Sequence, residues 1–110
     1  MTDPVRVVVP DLVNVEGLRA LERALDEAFF GRSASRVVVL QGGPEVFCEG
    51  LDFAGLSTSC VAGDEDAVRR FARCLERIAT APKPVIAVVE GAATGGGVGL
   101  AAACDLVLAA

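Results

Sequence analysis

Four short apolar runs, each separated from the next by a stretch with different periodicity, constrain this chain more than any other feature. Val5 to Val9, interrupted only by Arg6, reads as a buried strand closed by Pro10. Arg36 to Leu40, Val85 to Val89 and Asp105 to Ala109 repeat the pattern, with the β-branched residues that suit a pleated surface. Between the first two, Asn14 is placed to cap a helix in which Leu18, Leu21, Leu25, Ala28 and Phe29 recur at helical spacing, and Gly31 supplies a stop. A second helix starts where Asp64 to Asp66 favour the positive end of the dipole, and its stripe reads as Val68, Phe71, Ala72, Leu75 and Ile78. Pro82-Lys83-Pro84 ends it, and a glycine-rich segment, Gly91 to Gly99, leads into a short helix at Leu100 to Ala103. Glu45 to Leu56 reads as an irregular loop after the breaker cluster Gln41-Gly42-Gly43-Pro44. Strands alternating with helices imply right-handed crossovers and a parallel sheet, so the fold class is α/β.

At 110 residues the chain is sized for one domain, residues 1–110, without internal repeat or linker. A hydrophobic content of 53% supplies a core and excludes a disordered chain. The net charge of −5 lacks the basic footprint of a nucleic-acid binder. Arg69, Arg70, Arg73 and Arg77 form a basic stripe, read here as the solvated side of an amphipathic helix rather than a phosphate-binding face. With no His, Ser-His and Cys-His couples and His-ligated metals are excluded within these residues. The four Cys, at 48, 60, 74 and 104, form no Cys-x-x-Cys; free, mostly buried thiols in a reducing cytoplasm are expected, with no metal. No apolar run is long enough for a membrane span.

Gly95-Gly96-Gly97 follows a strand and opens a helix. Such a place offers free N–H groups to negative charge, and it also allows tight helix–strand packing. A P-loop would need Gly-Lys-Ser/Thr, and the one lysine, Lys83, lies upstream. Gly97-Val98-Gly99-Leu100-Ala101-Ala102 fits G-x-G-x-x-A, but the acidic partner expected about 20 positions later would fall beyond Ala110.

Several motifs in fixed order resemble the crotonase (enoyl-CoA hydratase/isomerase) superfamily. They are Phe47-Cys48-x-Gly50-x-Asp52, the segment Pro82 to Gly91, Gly95-Gly96-Gly97, and Ala103-Cys104-Asp105, so the resemblance runs from about the first strand to the last residue. It implies a ββα spiral, here partial, and an activity on acyl thioesters. Two backbone N–H groups, from Leu51 and Gly96, would then form an oxyanion hole for a thioester enolate. Cys48, Gly50, Asp52, Gly95, Gly97 and Gly99 would surround the substrate, with Asp52 fixing its loop and capping the next segment and Cys48 a packed thiol. No cofactor is implied beyond the acyl-CoA or acyl-carrier-protein thioester that serves as substrate.

Hydratases of the family carry a catalytic Glu three residues after the middle glycine, where this chain has Gly99; their second Glu falls on a later segment. Neither Glu90 nor Asp105 stands at a position that replaces them. Pro44 to Phe53 is most similar to the polyketide-associated crotonases, which act as dehydratases or decarboxylases on carrier-bound acyl groups. The chain is less than half a usual member, so an exposed Leu106-Val107-Leu108 strand is expected, and with it a homo-oligomer or a complementing chain. This leaves two readings: a crotonase-type lyase or isomerase, or a non-catalytic crotonase-like subunit that binds a thioester or a partner.

Overall fold

A computed structural model describes residues 3–32, 35–52 and 61–110, the side chains of 61–66 excepted. Its elements are β1 (Val5–Val8), α1 (Val15–Phe30), β2 (Val38–Gln41), β3 (Val46–Cys48), α2 (Val61–Ala79), β4 (Val85–Val89), β5 (Ala92–Ala93), α3 (Gly96–Ala103) and β6 (Leu106–Ala109). Strands β1, β2, β4 and β6 form a parallel sheet in that order, and β3 pairs with β5 in a second, two-stranded parallel sheet.

The alternation of apolar and polar residues decides which sheet face is covered. In β1, Val7 points inward at 2% exposure while Val8, on the opposite face, is 69% exposed. The inward row Val7, Leu40 and Ala87 joins Leu18, Leu21, Leu25 and Ala28 of α1 in one core. The expected α1 stripe is thus buried as read. Asn14 Oδ1 accepts the Gly17 N–H at 2.7 Å, and the Gly31 N–H closes the helix on Glu27 O at 2.9 Å. The other face carries Val8, Ile86, Val88, Leu106 and Leu108 in register with Arg6 and Gln41, whose side chains bond to each other at 2.7 Å. All four β6 residues are exposed, as the sequence led us to expect.

Three expectations need correction. Helix α2 begins at Val61, so Asp64 to Asp66 lie inside it, and its buried stripe is Ala67, Phe71, Cys74 and Ile78. Val68 is 44% exposed and Ala72 is exposed. Burial of Phe71, Cys74 and Ile78 in the core sets the orientation, and beside that stripe Arg70 pairs with Glu22 of α1 at 3.0 Å and Arg77 with Asp26 at 2.6 Å. Counted only as a thiol in the sequence, Cys74 is a core residue. Of the four arginines, Arg70 and Arg77 pair with helix α1, while Arg69 and Arg73 are exposed, in keeping with a solvated helix face. Second, part of the irregular loop is ordered as β3, with residues 53–56 outside the described set. Third, the glycine-rich segment splits into β5 and the first turns of α3, which starts at Gly96 rather than Leu100.

Candidate functional site

The site is built where the loop after β3 meets the turn from β5 into α3. Five backbone groups flanking Leu51 are held by named partners. Cys48 O accepts the Thr94 N–H at 3.1 Å, and the Glu49 N–H donates to Asp11 O at 2.7 Å. Buried Cys48 Sγ accepts the Gly50 N–H at 3.3 Å. Gly50 O accepts the Val13 N–H at 2.8 Å, and the Asp52 N–H donates to Val13 O at 2.9 Å, the bonds of an isolated parallel bridge between Val13 and Leu51. In a trans peptide the N–H points opposite to the C=O. Because Gly50 O is tied to Val13, the Leu51 N–H faces away from the β1–α1 connection. It meets no acceptor among the described residues.

The second loop contributes the start of a helix. Gly95 caps α3 with φ +54°, a conformation that favours glycine. The Gly97 and Val98 N–H groups are spent inside the turn, on Thr94 O at 2.9 Å and Gly95 O at 3.1 Å. The Gly95 and Gly96 N–H groups have no acceptor among the described residues, as the first turn of a helix leaves them.

The two loops touch through backbone. Gly50 sits at φ +87°, and a methyl group built on it would stand 2.5 Å from Gly96 N and 2.9 Å from Gly96 Cα. A methyl at Gly97 would overlap the Cys48 carbonyl. On the α2 side, a methyl at Gly96 would meet the Phe71 ring at 2.7 and 2.9 Å, whereas one at Gly99 would meet only the Leu75 methyls, at 3.5 and 3.7 Å. Gly96 and Gly99 therefore share the face of α3 that looks at α2, as residues three apart on a helix do.

The electrostatics are those of neutral donors. Burial pushes the Cys48 thiol up from its ordinary value; the Gly50 N–H opposes this, and Asp11 and Glu49 add to it. The thiol is thus protonated and inert at neutral pH. Burial also pushes Cys74 up to about 11, with Glu22 adding to the shift and Arg77 and Arg70 opposing it. Cys104 rises to about 11 by burial and the neighbouring Asp105. Cys48 and Cys74 are buried and Cys104 half-buried, all three free, while Cys60 lies outside the described residues. Among the described residues no group of three or more His, Cys, Asp or Glu could hold a metal ion.

Of the sequence-predicted residues, Cys48 and Gly50 thus lie against Gly97 and Gly96, and Gly95 lies near Glu49 O; Leu51 and Asp52 follow on the Val13 bridge, and Gly99 is one turn along α3. The segment that Asp52 was expected to cap lies outside the described residues. Sequence reasoning missed Val13 and Thr94, which act through backbone atoms and carry no side-chain signal. It also missed Phe71 as the residue against Gly96, although Phe71 was already on the helix stripe.

The profile of the enoyl-CoA hydratase/isomerase family matches residues 14–110. The chain belongs to that family. A Rhodobacter capsulatus protein described as a probable enoyl-CoA hydratase is 36% identical over 110 residues, covering 96% of this chain and 40% of its own. The mitochondrial Delta(3,5)-Delta(2,4)-dienoyl-CoA isomerase of mouse is 32% identical over 102 residues, 80% of this chain and 31% of that one. Among solved structures, enoyl-CoA hydratase from Bacillus anthracis superposes with a TM-score of 0.84 at 29% identity, over 97% of this chain and 44% of that chain. The crotonase-family chain therefore spans less than half the length of these relatives. Its mixed α/β architecture is the part of the crotonase fold that carries both motif loops.

Proposed function

We propose that this crotonase-family chain binds an acyl thioester, of coenzyme A or an acyl carrier protein, with its carbonyl oxygen between the Leu51 and Gly96 N–H groups. The observation that carries the reading is the pair itself: two unspent backbone donors on neighbouring, interlocked loops, in a family whose relatives carry names ending in CoA hydratase and CoA isomerase. A thioester carbonyl gains negative oxygen when its α-carbon loses a proton or a carboxylate. Donors fixed in advance at that oxygen stabilise the enolate without reorganisation, and stabilisation of this kind is often the main source of an enzyme's rate enhancement. Gly95, Gly97, Cys48, Gly50 and Asp52 shape and hold the two loops, and the reaction is a lyase or isomerase step on the enolate.

The fate of the enolate depends on position 99. Gly99 brings no carboxylate to the α2-facing side of α3, so this side chain supplies neither the acid nor the base of hydration. That favours decarboxylation of a carrier-bound acyl group, in which the Cα–carboxylate bond breaks, CO2 leaves and its electron pair becomes the enolate without a base at position 99; the dehydration also carried out by polyketide-associated crotonases would draw its acid and base from other residues. The same observation favours a second reading, a crotonase-like subunit that binds a thioester or a partner chain without turnover. Assembly with further copies or a complementing chain, in the cytoplasm, completes the proposal; among the described residues no helix is long and apolar enough to cross a membrane.

The test is an infrared difference spectrum of acetyl-CoA labelled with 13C at the carbonyl. Binding between two donors is expected to move the labelled carbonyl band to lower frequency than in water. A bound ligand whose band does not move would refute the site, and saturable binding without turnover of any acyl thioester would select the second reading.

A further inference from the structure

The distance between the two donors is set by something smaller than either. Gly50 lies directly before Leu51, and its φ of +87° turns the α-carbon face where a side chain would grow onto Gly96. There a methyl would stand 2.5 Å from Gly96 N, 2.9 Å from Gly96 Cα and 3.4 Å from Gly97 N. Every one of these atoms is backbone at the start of a helix, so none can swing aside as the end of a side chain can. Phe71, 6% exposed, also packs beside Gly96: a methyl there would stand 2.7 Å from its ring and 3.3 Å from Gly50 Cα, so the start of α3 is in contact with both. The Gly50 peptide is itself held at both ends, by Cys48 Sγ on its N–H and by the Val13 N–H on its C=O.

We infer that Gly50 is a positioning residue: the absence of its side chain fixes how closely the Leu51 and Gly96 N–H groups approach, and any L-residue there drives the two donors apart. The inference rests on the proposed thioester reading for its functional consequence, but its geometric content does not. The role inferred for Gly50 is exerted through the two loops, whose backbones meet at its α-carbon. A working donor has to lie about 2.7–3.1 Å from the oxyanion, so widening the gap by several tenths of an ångström takes one donor out of range. Binding then falls back on a single hydrogen bond.

The experiment compares Gly50→Ala, Gly50→Asn and Gly43→Ala in the full chain. Asn tolerates positive φ better than Ala and so separates the side-chain clash from backbone strain. Gly43 lies in the preceding turn, where a methyl would meet only Val46 O at 3.4 Å. Two readouts are taken: the 15N–1H frequencies of the Leu51 and Gly96 amides in the free protein, and the dissociation constant with the infrared shift of 13C-carbonyl acetyl-CoA. Gly50→Ala and Gly50→Asn are expected to displace both amide resonances, to weaken binding roughly two- to thirteenfold, the loss of one hydrogen bond to a neutral carbonyl, and to shrink the carbonyl shift; Gly43→Ala is expected to match the wild type in all three. A folded Gly50→Asn with unchanged amide frequencies would overturn the inference. A wild type that binds no acetyl-CoA, with the amide displacements still present in the variants, would instead overturn the thioester reading and leave the positioning role standing.

Discussion

Replacing Gly96 with proline removes one donor while disturbing the fold little, because Gly96 is the first residue of α3. Proline is well accommodated at that position: its missing N–H has no helical acceptor there, and its fixed φ suits the first turn. The steric cost is local: Gly50 Cα stands 3.3 Å from a methyl at Gly96, and Phe71 stands closer. A ring grown on Gly96 meets Phe71 Cε1 and Cζ, 2.7 and 2.9 Å from a methyl at that site, and these are the far end of a side chain that can turn. A Phe71→Leu background relieves that contact, and the comparison is made within it. The loss depends on the charge of the oxygen. A neutral carbonyl loses a hydrogen bond whose net value is about 0.5–1.5 kcal/mol, roughly two- to thirteenfold in Kd. An enolate-like oxygen loses about 2.7–4 kcal/mol, or roughly two to three orders of magnitude, as when one oxyanion donor is removed. Titration calorimetry with acetyl-CoA and with a nitronate analogue of its enolate gives both numbers, with circular dichroism confirming the helix content. Equal losses for the two ligands would refute the donor role, since a steric effect does not distinguish them. Undiminished binding of the nitronate would refute it as well.

The same geometry sets four other expected outcomes. Gly99→Glu meets only the Leu75 methyls at ordinary contact distance, so it is expected to fold with stability within about 1 kcal/mol of the wild type, glutamate being the better helix former, as a thermal melt would show. Asn14→Ala removes the cap on Gly17 N and is expected to lower stability by about 1 kcal/mol in a urea titration, without altering thioester affinity. Cys74 and Cys104 ionise at about 11 when folded against an ordinary 9.0, so the folded state favours their neutral form. That contribution is complete below pH 9 and is lost as pH rises from 9 towards 11, which urea midpoints at pH 8, 10 and 11 would register. Leu106→Lys with Leu108→Lys changes residues 60% and 59% exposed, so sedimentation at high concentration is expected to show less self-association with an unchanged melt.

The large elements were legible in the sequence because their signals are local. Helix α1 could be read residue by residue, since Asn14, the Leu18–Leu21–Leu25 spacing and Gly31 all lie within one continuous stretch. Helix α2 was harder: Val68 is more apolar than Ala67 or Cys74, yet it faces solvent, because the stripe Ala67, Phe71, Cys74 and Ile78 is buried against residues distant in the chain, a contact no local pattern records. Strands β3 and β5 were invisible, being three and two residues long and defined only by each other. At the candidate site, glycines at 50, 95, 96 and 97 stand out as residue types. Their partners Val13, Thr94 and Phe71 do not, because the contacts join positions far apart in the chain through main-chain atoms or a ring that also reads as core.

The bridge between Val13 and Leu51 also has a kinetic meaning. It ties together residues 38 positions apart, and the Cys48–Thr94 bond ties the second of those segments to a third, a further 46 positions along. Contacts of such sequence separation are closed late, because loop entropy must be met before they contribute any stability. A chain that has formed only α1 and α2 has no donor pair at all. The capacity to hold a thioester is therefore expected to emerge in the last refolding phase, after most helical signal has returned, and a bound ligand would stabilise the chain as a whole by an amount that grows with the logarithm of its concentration.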